Sequence, residues 1–207
     1  MEIISHRGFW KTAPEKNTEQ AFKHSFENGF GTETDVRDCM GKLVISHDMP
    51  TGTEMLFEDF LDLTAKGRYS LALNVKSDGL AESMRKILDK SGFVNWFVFD
   101  MSIPDMRHHL SIKNPVFTRV SEIEPDPVLY NEASGIWLDA FESIWYTSEM
   151  IENWLSDGKR VCMVSPELHK RDHLELWDIL KRVNLQRKDG LILCTDIPDQ
   201  AKQYFEI

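Results

Sequence analysis

The sequence contains few cysteines and no long apolar run, and both absences restrict where and how the chain works. Cys39, Cys162 and Cys194 are its only cysteines and lie far apart. This spacing fits neither a disulfide framework nor a zinc site, so we expect a reducing, cytoplasmic location. No apolar run approaches the roughly 18 residues that cross a bilayer. We therefore expect no membrane span. The first ten residues also lack the basic start and apolar stretch of a secretory signal, so none is expected.

Positive charge is also scarce in this chain. The sequence has 24 lysines and arginines against 34 aspartates and glutamates, which gives a formal net charge of -10 at pH 7. This balance argues against broad binding to nucleic acid or to an anionic membrane. It does not argue against a small anionic ligand, because a few cations or a metal can reverse the potential inside one cleft. Nothing in the composition indicates an oligomeric state.

The chain has no linker rich in Pro, Gly or Ser, so residues 1–207 are expected to form one compact domain. Short apolar runs alternate instead with amphipathic segments. Eight runs are predicted as strands: Glu2–Ser5, Thr32–Arg37, Ser70–Val75, Asn95–Phe99, Pro115–Arg119, Gly135–Asp139, Arg160–Val164 and Gly190–Leu193. The clearest helices are predicted at Thr18–Asn28, Gly79–Lys90, Ile103–Leu110, Ser148–Ser156 and Asp172–Arg182. A short extra strand is expected at Gly41–Ile45, returning from the second strand toward the sheet.

This alternation predicts an α/β fold built on a parallel sheet. The number of strands favours a single TIM (β/α)8 barrel. Periodicity alone leaves a doubly wound open sheet possible, since six or seven true strands would suit that fold.

Polar residues stand at the carboxyl ends of the predicted strands, where TIM barrels carry their active sites. Glu33 and Asp35 point the same way, roughly 6–7 Å apart along the second strand. Two carboxylates so placed repel each other unless a cation lies between them, and their oxygens suit Mg²⁺ or Ca²⁺ better than zinc. On the third strand, Asn74 can add an amide oxygen to such a site, and Lys76 can direct an ammonium group at a phosphate.

His6 and His47 belong to neighbouring strand ends. Two imidazoles can divide the general base and general acid roles between them near neutral pH. Arg7 adds a planar fork of donors suited to phosphate oxygens. These residue types together predict metal-assisted transfer at a phosphate.

The stretch Ile3–Asp48 contains the strings HRG, PEKNTEQAF, GFGTETDVRD and LVISHD, and it resembles the N-terminal signature of glycerophosphodiester phosphodiesterases. Weaker similarity continues in LALNVK, FVFDMSIPDMRHHL and DGLILCTDIPDQ. The resemblance implies a TIM barrel, one divalent cation (Mg²⁺ or Ca²⁺), and hydrolysis of a phosphodiester beside a free hydroxyl.

The resemblance also implies roles for individual residues. These are acid/base catalysis for His6 and His47, metal binding for Glu33, Asp35 and Asn74, and substrate binding for Arg7, Lys76 and Glu15. Asn17 and Thr18 are interpreted as the start and N-cap of the first helix. Asp48 is expected to orient His47 by a hydrogen bond.

Three features depart from the family pattern. Lys16 turns the usual string P-E-N-T into P-E-K-N-T. Asn74 stands where the family commonly has glutamate, so weaker metal binding is expected. Only a short stretch separates His47 from the third strand, where many relatives carry a cap insertion. We therefore expect a barrel without a cap and with a more open cleft.

The leading hypothesis is hydrolysis of a glycerol- or polyol-phosphate diester, small or polymer-linked, to an alcohol and a phosphomonoester. The reaction is expected to pass through a cyclic phosphate, with His6 as base and His47 as acid. One alternative is a lyase-like relative that releases the cyclic phosphate. Another is a degenerate barrel that binds a phosphorylated ligand without turnover, which Asn74 favours and the two histidines oppose.

Some later residues receive only general interpretations. Arg119 and Asp139 end predicted strands and are placed to touch substrate, and His169 could line the rim of the site. His108 and His109 are expected on the surface of a helix.

Overall fold

The structure is a computed structural model that describes residues 1–64 and 69–207. The strands of this described part are β1 (Glu2–His6), β2 (Gly31–Cys39), β3 (Lys42–Ile45), β4 (Leu71–Val75), β5 (Trp96–Phe99), β6 (Phe117–Val120), β7 (Gly135–Leu138), β8 (Arg160–Val164) and β9 (Leu191–Thr195). Its α-helices are α1 (Glu19–Glu27), α2 (Phe57–Asp62), α3 (Ala81–Ser91), α4 (Ile103–Ser111), α5 (Ser148–Ser156), α6 (Leu174–Arg182) and α7 (Pro198–Phe205). Short 3-10 helices lie at Ala13–Glu15, Pro166–His169 and Leu185–Arg187.

Each predicted strand overlaps an observed one, and the predicted extra strand is β3, which pairs antiparallel with β2. The five predicted helices are α1, α3, α4, α5 and α6. The helices α2, with six residues, and α7, with eight, were not predicted. The connection from β6 to β7 is fully described and contains no helix, and its Pro125 and Pro127 disfavour one.

The strand order identifies the fold class. Neighbouring strands follow the sequence β5-β4-β2-β1-β9-β8-β7-β6, with β3 attached to β2 alone. The pairs β2–β4, β4–β5, β6–β7, β7–β8 and β8–β9 are all parallel. With β3 set aside, eight strands follow one another in chain order without the reversal that defines a doubly wound sheet. The predicted α/β fold of the TIM-barrel class is therefore confirmed.

The described residues group into two compact units, Ser5–Val116 and Met1–Ile4 with Phe117–Ile207. In the first unit, α1 places Phe22 against Phe60 of α2, with ring centroids 4.6 Å apart, and both rings are fully buried. In the second unit, Trp177 of α6 is buried and donates its indole N–H to Ser165 Oγ at 3.0 Å. One domain over residues 1–207 stays a prediction.

Of the helices in residues 1–64 and 69–207, none is long and apolar enough to cross a membrane.

Candidate active site

The predicted site residues of the first unit lie on strands that are neighbours in the sheet. Glu33 and Asp35 belong to β2 and are buried. Asn74 of β4 is also buried and is the register partner of Asp35. His6 is the last residue of β1, and its Nε2 lies 3.8 Å from Glu33 Oε2. The parallel register thus brings together residues that are distant in sequence.

The carboxylate of Asp35 is where the charged side chains of this group meet. Arg7 Nε lies 2.9 Å from its Oδ2, and Lys76 Nζ lies 3.3 Å from its Oδ1. The side-chain amide of Asn17 donates a hydrogen bond to Oδ2 at 2.9 Å. The carboxylate is completely buried, so two cations and an amide replace the water that would otherwise solvate its charge. The two cations expected to bind phosphate thus converge on a carboxylate expected to bind metal.

Asn17 was assigned only a structural role from the sequence, yet its side chain contacts Asp35 and accepts a hydrogen bond from Thr34 Oγ1 at 2.9 Å. The local backbone makes these contacts possible. Arg7 and Asn17 both have a φ of +59°, a left-handed conformation that asparagine tolerates better than most residues. The N–H of Arg7 donates to Glu33 O, and that of Asn17 to Arg7 O, both at 2.9 Å. Asn17 is therefore a site residue that the sequence interpretation missed.

The residue after Asn17 behaves as the sequence predicts. Thr18 is the N-cap of α1, and its hydroxyl accepts a hydrogen bond from the N–H of Ala21. Gly8, with a φ of +84°, lies so close to this helix that an added Cβ would come within 2.7 Å of Ala21 Cβ. Only glycine allows the chain to pass α1 at this distance.

The carboxyl group of Glu33 has a strongly raised pKa. Burial raises its pKa well above the ordinary glutamate value, and the negative charge of Asp35 raises it further. The positive charges of Arg7 and Lys76 lower it without cancelling these effects. A nearby cation would stabilise the ionised form of a carboxyl group in this position.

Glu33 Oε2 and Asn74 Oδ1 are buried and accept no hydrogen bond within the described residues, and buried Asp35 Oδ1 has only its ion pair with Lys76. The amide nitrogen of Asn74 points to Asp100 Oδ2 at a long 3.4 Å. Unsatisfied buried oxygens are uncommon, and oxygen donors of this kind fit a hard divalent cation. Across residues 1–64 and 69–207, no group of three or more His, Cys, Asp or Glu side chains could hold a metal ion. The acidic residues alone are thus too few, and the oxygen of Asn74 is the donor that would complete the set.

His47 lies in a more exposed position, with 46% of its side chain accessible. Its Nδ1 lies 2.8 Å from Asp48 Oδ1, and this hydrogen bond lowers the pKa of Asp48. The guanidinium of Arg37 donates to the carbonyl of His47 at 3.2 Å. His47 lines an open cleft of about 520 Å³ together with Arg7 and Asn17. The expected hydrogen bond between His47 and Asp48 is present.

Glu15 is not brought to this group. Its carboxylate accepts hydrogen bonds from the N–H of Lys11 and the hydroxyl of Thr12, both at 2.9 Å. The first of these is the main cause of its lowered pKa. Glu15 lines a different cleft, whereas the next residue, Lys16, lines the cleft of His47. Because of the extra residue in P-E-K-N-T, the basic Lys16 lines the cleft of His47 and the acidic Glu15 does not.

A separate polar cluster lies in the second unit, where Asp139 follows β7. His169 Nε2 lies 2.6 Å from Asp139 Oδ1, and this hydrogen bond raises the pKa of His169. Arg171 donates to the carbonyl of Ala140 at 2.7 Å. The sequence placed Asp139 and His169 at strand ends but did not predict that they pair.

The prediction for His109 was wrong. Its side chain is fully buried, and its Nδ1 lies 2.9 Å from the amide nitrogen of Asn114. Burial lowers the pKa of His109, although Asp105 opposes this effect.

Eight strands of the described residues follow one another in chain order and define an α/β barrel. His6 ends β1 and Asn74 lies near the end of β4, whereas Glu33 and Asp35, predicted at a strand end, lie in the middle of β2 because that strand runs on to Cys39. No protein-family model matches the sequence, and no curated protein matches it. Solved structures do match in fold.

The solved structures that resemble this chain include phosphodiesterases from several bacteria. A glycerophosphodiester phosphodiesterase from Agrobacterium tumefaciens matches with a TM-score of 0.75 and 18% identity over 100% of both chains. Another, from Parabacteroides distasonis, matches with a TM-score of 0.71 and 16% identity over 99% of this chain and 96% of that one. A Ca²⁺-dependent phosphatidylinositol-specific phospholipase C from Streptomyces antibioticus has a TM-score of 0.56 and 11% identity over 97% and 95% of the two chains. The chain thus has the TIM-barrel fold of these phosphodiesterases.

Proposed function

We propose that this protein is a metal-dependent phosphodiesterase that hydrolyses a glycerol- or polyol-phosphate diester, small or polymer-linked, to an alcohol and a phosphomonoester. The observation that carries the proposal is the group around Asp35. Buried oxygens of Glu33 and Asn74 that accept no hydrogen bond lie in the same group as the Asp35 carboxylate, its two cations and His6. The shared fold with glycerophosphodiester phosphodiesterases supports the same reaction class.

Glu33, Asp35 and Asn74 are the residues that would hold a divalent cation, Mg²⁺ or Ca²⁺. When bound there, the cation would supply Lewis-acid polarisation of a phosphate oxygen. The neighbour from Streptomyces antibioticus is described as Ca²⁺-dependent, which favours testing Ca²⁺ first.

Arg7 and Lys76 would bind the phosphate oxygens and balance the negative charge that develops in the transition state. Their ion pairs with Asp35 already direct both cations to one point. Arg7 can present two parallel donors, whereas Lys76 acts as a point charge.

His6 would remove the proton from a substrate hydroxyl beside the phosphate. Glu33, 3.8 Å from His6 Nε2, would stabilise the imidazolium that results. His47, whose side chain is partly exposed to solvent, would protonate the leaving oxygen. The deprotonated hydroxyl oxygen would attack phosphorus, and a cyclic phosphate would form as the bond to the leaving oxygen breaks. The two histidines would exchange roles when water opens this cyclic phosphate to the monoester.

The direct test is turnover of glycerophosphodiesters in Ca²⁺, in Mg²⁺ and in a chelator, with His6→Ala as the matched inactive control. We expect cation-dependent turnover that the control lacks. Turnover that persists in the chelator would contradict the metal requirement. Absence of turnover with every diester and cation would leave only the alternative of a barrel that binds a phosphorylated ligand without turnover.

Phosphorus NMR of the products distinguishes hydrolysis from the lyase alternative. Conversion of a transient cyclic phosphate to a monoester supports hydrolysis, whereas a cyclic phosphate that persists indicates a lyase.

A cytoplasmic location is also part of the proposal, and it rests on the few, widely spaced cysteines. A disulfide detected by mass spectrometry in the native protein would contradict it.

A further inference from the structure

The side chain of His47, the proposed general acid, is not held in place by packing. It is 46% accessible, and the side chain of its hydrogen-bond partner Asp48 is 93% accessible. Misplacing a catalytic group by about 1 Å can cost roughly 10²-fold in rate. An exposed acid therefore needs another support, and the backbone that carries His47 is the place to look for it.

This backbone leaves the sheet just before His47. The strand β3 ends at Ile45, and the N–H of the next residue, Ser46, still donates to Asp35 O at 3.0 Å. His47 follows directly and lies outside this antiparallel ladder. Within residues 1–64 and 69–207, only the guanidinium of Arg37 donates a hydrogen bond to the carbonyl of His47.

Arg37 extends the row of polar side chains on β2. Glu33, Asp35 and Arg37 alternate along this strand and so point to the same face, each roughly 6–7 Å from the next. Nε of Arg37 donates to the carbonyl oxygen of His47 at 3.2 Å, and its Nη1 lies 3.4 Å from Met49 Sδ. Because the donors of a guanidinium have fixed directions, these two contacts fasten residues 47–49 to β2.

One strand thus carries both the proposed cation ligands and the support of the proposed acid. Nδ1 of His47 is engaged by Asp48, so proton transfer to the leaving oxygen falls to Nε2. We propose that Arg37 is a positioning residue, whose guanidinium holds the backbone of His47 so that Nε2 meets the leaving oxygen. This inference rests on the proposed function and extends it to a residue that does not itself touch the reacting atoms.

Two substitutions separate the hydrogen bond of Arg37 from its charge. Arg37→Gln places an amide nitrogen where Nε stands, so it keeps the donor and loses the charge. Arg37→Met keeps a side chain of similar reach and loses both. If Arg37 acts by positioning, Arg37→Gln should retain most of the activity that Arg37→Met loses. Equal losses in the two variants would show that the charge matters instead, and would overturn the inference.

The readout is the nature of the leaving group, because only a poor leaving group needs a general acid. Glycerophosphoglycerol releases an alkoxide, which must gain a proton from His47 as it departs. The diester of glycerol phosphate with p-nitrophenol releases an aryl oxide that is stable without a proton. Loss of acid catalysis should therefore slow the first substrate and spare the second.

We expect Arg37→Met to lower kcat for glycerophosphoglycerol roughly tenfold, less than complete loss of a general acid, because the acid is displaced and not removed. The value of kcat for the nitrophenyl diester should change by less than about twofold, and KM for both substrates should stay the same. If Arg37 bound the phosphate, its loss would raise KM for both substrates, and that result would also overturn the inference.

Two further variants calibrate the experiment. Arg85 of α3 also donates to a backbone carbonyl, that of Lys113, at 3.2 Å, so Arg85→Met removes the same kind of contact elsewhere and should leave both rates unchanged. His47→Ala should show the same dependence on the leaving group as Arg37→Met, but more strongly. Circular dichroism of each variant confirms that it is folded.

The outcomes separate the inference from the function on which it rests. If His47→Ala shows the dependence on the leaving group and a folded Arg37→Met variant does not, the inference is wrong and the proposed function stands. If the wild type turns over neither diester, or His47→Ala lacks the dependence, the proposed function or its acid has failed. NMR relaxation of the His47 amide then decides the positioning alone. Greater mobility in Arg37→Met than in wild type and Arg37→Gln supports it, and equal mobility in all three overturns it.

Discussion

Replacing Asn74 by aspartate tests the cation site most directly. Asn74 is the register partner of Asp35 on the neighbouring strand, and its buried side-chain oxygen accepts no hydrogen bond within the described residues. The substitution keeps the size of the side chain and adds one negative charge. In metal-free protein it also replaces the amide donor that faces Asp100 by a second carboxylate.

The expected cost follows from the spacing of strands. Side chains in register on neighbouring strands lie about 5 Å apart, and two like charges at that distance repel by about 3 kcal/mol at an effective dielectric constant near 20. Arg7 and Lys76 offset part of this repulsion. We therefore expect Asn74→Asp to lower the metal-free free energy of unfolding by about 1–3 kcal/mol, or roughly 2–10 °C in Tm.

The same charge should favour a divalent cation. A third carboxylate in place of a neutral oxygen is expected to tighten Ca²⁺ or Mg²⁺ binding by roughly ten- to a hundredfold. The effect on turnover should be smaller, because a more anionic site also repels the phosphodiester.

Thermal unfolding in chelator and in a cation series, together with calorimetric titration, measures both effects. Asn74→Ala, which removes the oxygen, should weaken cation binding, and Asn184→Asp provides the same charge change at an exposed position. If Asn74→Asp neither destabilises the metal-free protein nor tightens cation binding, Asn74 is not a ligand. The proposed site would then shrink to Glu33 and Asp35.

Three further predictions address catalysis, the second unit and the first loop. His6→Ala and His47→Ala should each reduce kcat roughly 10²–10⁴-fold while the circular dichroism spectrum is unchanged, and near-wild-type rates would remove that histidine from the mechanism. His169→Gln should lower the free energy of unfolding, measured by urea denaturation below pH 6.5, by about 1–2 kcal/mol. At that pH the wild-type imidazole is protonated and makes a charged hydrogen bond to Asp139. The raised pKa of His169 means that this difference should shrink as pH rises through the folded-state value, and a pH-independent difference would contradict it. Gly8→Ala should destabilise the protein by about 2–4 kcal/mol, since alanine there combines a positive φ with a steric clash, and an unchanged urea midpoint would show that the loop relaxes freely.

The secondary structure could be predicted well because it depends on local patterns. Short apolar runs predicted every parallel strand, and the capping hydroxyl of Thr18 predicted the start of α1. The errors occur where the local signal is weak or misleading. Helix α2 has only six residues and no capping side chain. His109 was placed on the surface because the helical pattern does not show that its side chain is fully buried and contacts Asn114 beyond the helix.

The candidate site was predictable in its residue types and less so in its contacts. The strings around His6 and Glu33 indicated the residue types of this group, which lie on β1 and β2. The sequence did not show that Asn17 contacts Asp35, because that contact depends on positive φ angles at Arg7 and Asn17. Nor did it show that Glu15 turns away from the group while Lys16 faces the cleft.

By itself, the sequence predicted where the strands lie along the chain, because the alternation of apolar runs is a property of adjacent residues. The pairing of those strands in the structure decided between a barrel and an open sheet. The sequence also placed His6 at the end of a strand and Lys76 directly after one, but not Glu33 and Asp35, which lie in the middle of β2. Only the tertiary structure decided which of these side chains meet. Strand register sets the partner of Asp35, and one inserted residue changes which side chain enters the cleft. Contacts between segments that are distant in sequence depend on the backbone conformation of the whole connecting loop, which no local sequence pattern specifies.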